Sequence, residues 1–533
     1  MLILLPFFIL SLAALVITVL QRVRPGYGYP WMVAVSFSLV SWILILVLHW
    51  QNVSGFSLDS WQPIDEPGSA LIFQLDSVSW PYALSVVSLL LAVVATASAR
   101  ELTHTTPTAW VGSLALTGTS LLAILAKTPL TLILTWTMVD LIELVILLRI
   151  VNQPTQTQRV AFAFAVRVAG TLFAVWAILI SLGRGVALTL DHVIPEVGLF
   201  LLLASGLRLG VIPANLPFAR EVNIPKGLGT VLRLAAPASS LPLLARLPAT
   251  VVPPDLARVL LVFTALAGLY GSGMWLAARD EKEGSPFWVI ALAGMAVASS
   301  IRGHPEASLA WGIALILSGG LIFLFSARTR WILVIPLIGW LGFSGLPFTP
   351  AASGWRGLVV LPFTLLDIIF LAVLVLLQIG FLRHIQNPGE DLKAKDRWIQ
   401  AVYPVGLSIL NISYWLIGVT GWPGSFSAGL WWASAISTIL LVLGSVLGYQ
   451  IGSGRVKQGS RVQWLLILTR RVVATLGEVF SLNWMYRLFW RVYGEMERMI
   501  GFITIILEGD GGMLWALLLL VIFISLFRQK GLP

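Results

Sequence analysis

The chain contains no cysteine among its 533 residues. That absence excludes disulfides, thiolate metal sites and cysteine-held iron–sulfur clusters together. Histidine is nearly as scarce, and the five residues are scattered without paired spacing, which leaves a haem or zinc site unsupported. Charge is the third shortage. Only 11% of residues are Asp, Glu, Lys or Arg. A soluble domain carries roughly 25%, so this chain lacks the polar surface to face water. A net charge of +10 would suggest nucleic acid in a soluble protein. In a membrane protein it reflects the Lys and Arg excess of cytoplasmic loops, so no nucleic-acid partner is expected.

What the chain has in abundance is apolar length: 58% of residues are hydrophobic and the mean hydropathy is +0.91. Runs of about 20 apolar residues recur, each long enough to cross a hydrocarbon core. Leu114–Leu125 and Ile290–Ser299 are apolar or small on every face, unlike the alternating strands of a barrel. The expected fold class is therefore all-α: a polytopic transmembrane helical bundle of about 16 spans, running from 2–20 to 512–528. Leu2–Leu20 has no preceding basic residue and no clear small-residue cleavage site, so it reads as a retained helix.

Loop charges give an orientation. One set of connections holds Arg22 and Arg24, Arg100, Arg149 and Arg159, Arg220 and Lys226, Arg279 and Lys282, Arg328 and Arg330, and Arg383 to Arg397. The alternate set is poorer, with Lys127, Arg184, Arg246, Arg258, Arg302, Arg356 and an acidic 50–76 loop. The bias puts the first set in the cytoplasm and both termini on the non-cytoplasmic side of the cell (inner) membrane. Residues 452–511 are too polar to span, yet intersperse Arg470, Arg471, Arg487 and Arg491 with Trp464, Trp484 and Trp490. A lateral amphipathic helix at the interface, or against a partner subunit, fits this composition. A terminal transmembrane helix is expected over 512–533.

Ionisable residues at membrane depth are costly and are functional candidates by default. They are Asp140 and Glu143 in the fifth span, Arg167 in the sixth, Arg208 in the seventh, Arg233 in the eighth, Arg356 after the twelfth and Asp367 in the thirteenth. Asp140 and Glu143, three apart, share a helix face. They would not both ionise readily without a cation, and an Arg from another helix is the obvious partner. A static ion pair locking two helices accounts for any single pair as well as transport chemistry does. Pro213 and Pro217 break the seventh span, 196–217, and Gly345, Pro347, Pro350 and Gly354 break the twelfth, 331–354. Such breaks are tolerated only where backbone is packed in protein or lines a wet cavity. Broken helices beside an Arg in each half suggest an ion-transport fold with internal duplication.

Four stretches then carry a resemblance: FQLDSVSWPYALSVVSLLLAVV (Phe73–Val94), GLRLGVIPANLPFAREVNIPKGLGTVLRLAAPAS (Gly206–Ser239), ARDEKEGSPFWVIALAGMAV (Ala278–Val297) and GWLGFSGLPFTPAASGWRG (Gly339–Gly357). In this order and spacing they resemble the antiporter-like, proton-translocating membrane subunits of respiratory complex I, Mrp-type cation/proton antiporters and membrane-bound hydrogenases. The resemblance implies N-terminal helices and an outer loop over 1–108, two inverted five-helix repeats over 109–245 and 257–382, and C-terminal helices over 383–451. It implies other membrane subunits as partners, H⁺ or Na⁺ as the moving ion, and no cofactor, because quinones, flavins and clusters sit elsewhere in such complexes. Arg208 stands where the family has a Lys, Arg233 where it often has His, and Arg356 at another Lys. The fifth-helix Glu position falls on Thr137, and Asp140, three residues on along the same face, substitutes for it with Glu143 behind. The family's central Lys in the tenth and eleventh helices is absent.

Lysine can be tuned to release a proton, whereas guanidinium stays charged. The expected function is thus proton translocation in a complex I-like assembly, along an axis of Asp140, Glu143, Arg208, Arg233, Arg356 and Asp367. The alternative is a degenerate paralogue with a structural or assembly role. A membrane-embedded enzyme is the remaining class. The 50–76 loop gives it little, since Asp59, Asp65 and Glu66 lack a nucleophile or metal partner.

Overall fold

The computed structural model describes residues 2–452, apart from 25–28, 52–54, 59–69, 100–106, 152, 187, 192, 216–223, 249–251, 361 and 388, together with 491, 494–495, 498, 517–522 and 524–525. The chain divides into two compact units, Met1–Thr469 and Arg470–Pro533. In the second, residues 517–522 and 524–525 are helical, with exposed apolar side chains at 517–522 and 524, and Arg498 pairs with Glu495 at 2.9 Å. The rest of the expected terminal helix, and nearly all of the lateral segment, lie outside the described residues.

The first unit is built from α1 (Leu5–Val23), α2 (Pro30–Trp50), α3 (Ser79–Thr96), α4 (Pro107–Leu125), α5 (Pro129–Ile150), α6 (Pro154–Gly183), α7 (Pro195–Arg208), α8 (Lys226–Arg246), α9 (Pro254–Ala277), α10 (Glu281–Ile301), α11 (Pro305–Leu324), α12 (Val334–Phe343), α13 (Trp355–Leu358), α14 (Leu365–Gln386), α15 (Arg397–Thr420) and α16 (Trp431–Gly452). Seven of these open on proline, at 30, 107, 129, 154, 195, 254 and 305. Proline suits a first turn, where its missing N–H is not needed and its φ is already helical. A helix lies in each of the first fifteen expected spans, and twelve of the described helices are long and apolar enough to cross a bilayer. The chain is a multi-pass membrane protein.

Burial separates two kinds of helix. The apolar lengths of α3, α10 and α11 are buried all round. Helix α5 is two-faced: Leu132, Trp136, Asp140, Glu143 and Leu147 are buried, while Leu134, Met138, Leu141, Val145 and Leu148 are exposed. An exposed face made of such residues at helical spacing suits lipid. Two short sheets tie the ends together. β1 (Phe56–Leu58) pairs antiparallel with β2 (Leu71–Phe73), and β3 (Ala327–Arg328) runs parallel to β4 (Glu390–Asp391). Every described ion pair between loops joins members of one charge set: Asp76 with Lys127 and Arg246, Lys127 with Asp191, and Lys226 with Glu281.

Both expected breaks are present: the first falls at Gly210, ahead of Pro213 and Pro217, and the second at Gly345, the first of its four expected residues. Helix α7 ends at Arg208 because Gly210 takes φ +72° and closes the helix. Its N–H donates to the Leu207 carbonyl at 3.0 Å and that of Val211 to the Gly206 carbonyl at 2.8 Å, the two bonds of a Schellman cap. Helix α12 ends at Phe343, with Gly345 at φ +72° just beyond it. The thirteenth expected span starts later than its apolar run, because α14 begins only at Leu365.

Candidate functional site

Asp140 and Glu143 both point inward from α5, and α6 and α7 each send an arginine to meet them. Arg208 closes on Asp140 as a fork: Nη1 donates to Oδ2 at 2.6 Å and Nη2 to Oδ1 at 2.9 Å. The same guanidinium donates to Thr171 Oγ1 at 3.0 Å and to Ser240 Oγ of α8 at 3.1 Å. Its Cζ lies over the Trp136 ring, 4.4 Å from the ring centre. The Trp136 indole is in turn fixed by donating to the Ser239 carbonyl at 3.0 Å. Arg167 donates to Glu143 Oε2 and stands 3.8 Å from Asp140 Oδ1. All four charged side chains are at most 2% exposed.

The local sequence explains this closeness. Arg208 is the last residue of α7, where the helix dipole favours a cation. Gly170 lets α6 pass beside it, since a Cβ there would lie 2.8 Å from Arg208 Cγ and 2.9 Å from the Ala204 carbonyl. Two carboxylates and two guanidiniums make a neutral cluster, the condition for holding charge in a medium without water. One acceptor is left over: Glu143 Oε1 is buried and has no hydrogen-bond partner among the described residues.

The other expected site residues are elsewhere. Arg233 reaches the start of α10, where Nη1 donates to the Lys282 carbonyl at 2.8 Å and to Ser285 Oγ. Beside it Lys226 pairs with Glu281 at 2.5 Å. Asp367 is fully buried, but as the N3 member of the capping box that Thr364 opens on α14: its Oδ2 accepts from the Thr364 N–H and hydroxyl, both at 2.8 Å. Its other oxygen pairs at 2.8 Å with Arg302, from the loop between α10 and α11. Arg356 is exposed. Thr137 is exposed too, so it does not share the inward face of Asp140; Trp136, one turn before Asp140, does.

Sequence reasoning missed a second ionic cluster, outside the spans. Asp76 binds Lys127 and Arg246, each at 2.9 Å, and Lys127 also binds Asp191 at 2.6 Å. Burial alone would raise the Asp76 carboxyl, but the charges of Arg246 and Lys127 outweigh it and hold the group well below the ordinary carboxylate range. The signal was available, since all four residues lie in connections of one charge set.

Along α10, α11 and α12 the membrane depth is apolar. Gly284–Ile301, Ala307–Leu324 and α12 contain no ionisable residue. The space is filled by aromatic rings: Trp275 and Trp288 at 5.2 Å, Trp288 and Phe343 at 5.4 Å, Phe343 and Phe381 at 5.2 Å. The second break is packed in protein. Trp355 Nε1 and Ser434 Oγ donate to the Gly345 carbonyl at 2.9 and 2.5 Å, and Gln378 Nε2 to that of Ser344 at 3.0 Å.

No protein-family model and no curated protein sequence matches the chain. Solved structures do. A chain of the membrane-bound sulfane sulfur reductase, an archaeal respiratory membrane complex, is 15% identical at a TM-score of 0.65, covering 98% of this chain and 99% of that one. A chain of the Mrp complex from a Dietzia species is 15% identical at 0.70, over 100% of this chain and 63% of that one. A chain of respiratory complex I from Thermus thermophilus is 18% identical at 0.62, over 82% of this chain and 99% of that one. The polytopic all-α bundle expected from the sequence is therefore a fold the chain shares with subunits of these membrane complexes.

Proposed function

We propose that the chain is a membrane subunit of a multisubunit ion-translocating complex, in which its charged core is a fixed ion-pair cluster and not a full proton path. The observation that carries this reading is the fork of Arg208 on Asp140. A relay needs groups that alternate between protonation states, and a guanidinium in the path does not alternate. The apolar α10, α11 and α12 support the same reading, because a path along the second half would lack stations there. On this view 109–245 and 257–382 are two repeats, of which the first keeps its charges and the second has replaced them by aromatic packing.

One observation favours the second reading, translocation of H⁺ or Na⁺. Glu143 Oε1 has no hydrogen-bond partner among the described residues and so is open to a proton or a water. The test separates the two. With Asp140→Asn and Glu143→Gln together, the assembled complex in vesicles should take up protons as the parent does. Arg208→Ala should instead reduce the amount of chain that co-purifies with its neighbouring subunits. Lost uptake in a fully assembled double variant overturns the structural reading and establishes the second.

A further inference from the structure

Where α12 begins and α14 ends, a cleft of about 980 Å³ opens between them. Its walls are aliphatic, from Leu333 and Leu337 on one side and Leu382 on the other. Its cationic lining comes from residues beyond the helix ends, Arg330 and Lys393, both exposed, and Trp331 beside them is 57% exposed. The parallel pairing of β3 with β4 holds these two connections side by side, so the two cations are not a chance of long side chains. Asp391 is the one carboxylate in the lining, and its Oδ1 accepts the Lys393 N–H at 3.0 Å. From the cleft an exposed apolar row runs down α12 through Val334, Leu337, Ile338 and Leu341, at the spacing of one helix face.

We propose that this cleft binds one anionic phospholipid. Its phosphate sits between Arg330 and Lys393, and its acyl chains follow the row along α12. A basic pocket between spans on the positively charged side suits an anionic headgroup, and Trp prefers the depth at which headgroup meets chain. The aliphatic track commits the site to a lipid, because inorganic phosphate would have no use for it.

The chain has no cysteine, so Leu337→Cys gives a unique attachment point for a fluorophore in the full-length protein. Quenching by doxyl-labelled phosphatidylglycerol and by doxyl-labelled phosphatidylcholine is compared in vesicles of the two lipids. Phosphatidylglycerol should reach half-quenching at a lower mole fraction, by roughly fivefold for each basic residue engaged. Arg330→Ala with Lys393→Ala should bring the two curves together, as should high salt. Millimolar inorganic phosphate should change nothing. Equal quenching by both lipids in the parent overturns the proposal. So does competition by phosphate, which would make the site one for a free anion. No quenching by either lipid overturns it as well, since the cleft would then be covered by another part of the chain.

Discussion

The two halves of the bundle solve the same problem, a broken helix at membrane depth, by opposite chemistry. At the end of α7 the break carries Arg208 into a neutral cluster of four buried charges. At the end of α12 the exposed carbonyls are taken by Gln378, Ser434 and Trp355, and the space beyond is filled with aromatic rings. The difference teaches that the helix break and the charge are separable features. A glycine at positive φ suffices to end the helix in both halves. What the break exposes can then be satisfied by ions or by neutral donors. The first arrangement leaves a carboxylate oxygen of Glu143 with no hydrogen-bond partner among the described residues.

The largest effects should come from emptying either core, and they should differ in how they are repaired. Asp140→Ala leaves Arg208 buried without its carboxylate, a loss of about 3–5 kcal/mol. Asp140→Leu with Arg208→Met should recover most of it, because two apolar side chains need no partner. Trp288→Ala in the second half should cost a similar amount, about 3–5 kcal/mol, through the cavity it opens. Thermal unfolding of the detergent-solubilised protein measures all three. A double variant no more stable than Asp140→Ala would break the comparison, since the first core would then need charge for more than mutual compensation.

A smaller effect sharpens it. Arg208→Lys keeps the charge but loses the fork on Asp140 and the contact with the Trp136 ring. About 1–3 kcal/mol of stability should go with them. The exchange also restores a group that can release a proton. Proton flux in vesicles should nonetheless stay at background, because the second half still offers no ionisable residue along α10, α11 or α12. Flux above background would place the obstacle at Arg208 alone.

How much of this was legible in the sequence depends on how local the cause was. Asp140 and Glu143 announced themselves, as acids at membrane depth three residues apart, and so did their need for arginine. Which arginine was not legible, because Arg167, Arg208 and Arg233 all fall within three successive expected spans. The choice rests on helix rotation and on Gly170, which no spacing rule reports. Thr137 misled for the same reason. Three residues advance a helix by less than a full turn, and the boundary between lipid and core falls within that gap on α5. Arg356 follows the break that ends α12, where apolar pattern says nothing about direction. Arg302 meets Asp367 across 65 residues, and Gln378 and Ser434 cap the second break from distant helices, so neither arrangement has a sequence signature.

The smallest effect tests whether charge outside the membrane behaves as it does within the first core. Asp76 is held ionised by Lys127 and Arg246, where water is nearer than it is for Asp140. Its carboxyl titrates below the ordinary range when folded and near 3.9, approximately, when unfolded. The unfolded chain therefore binds the proton first as pH falls, and the stabilisation is complete above that unfolded value. It is lost progressively as the pH drops towards the depressed folded one. Asp76→Asn should cost about 2 kcal/mol at neutral pH, and the gap from the parent should close below about pH 4. An Asp140→Asn variant should cost more than Asp76→Asn at neutral pH, because it leaves the fully buried Arg208 without its carboxylate. Equal costs for the two variants would show that one rule governs both clusters and that burial at membrane depth adds nothing of its own.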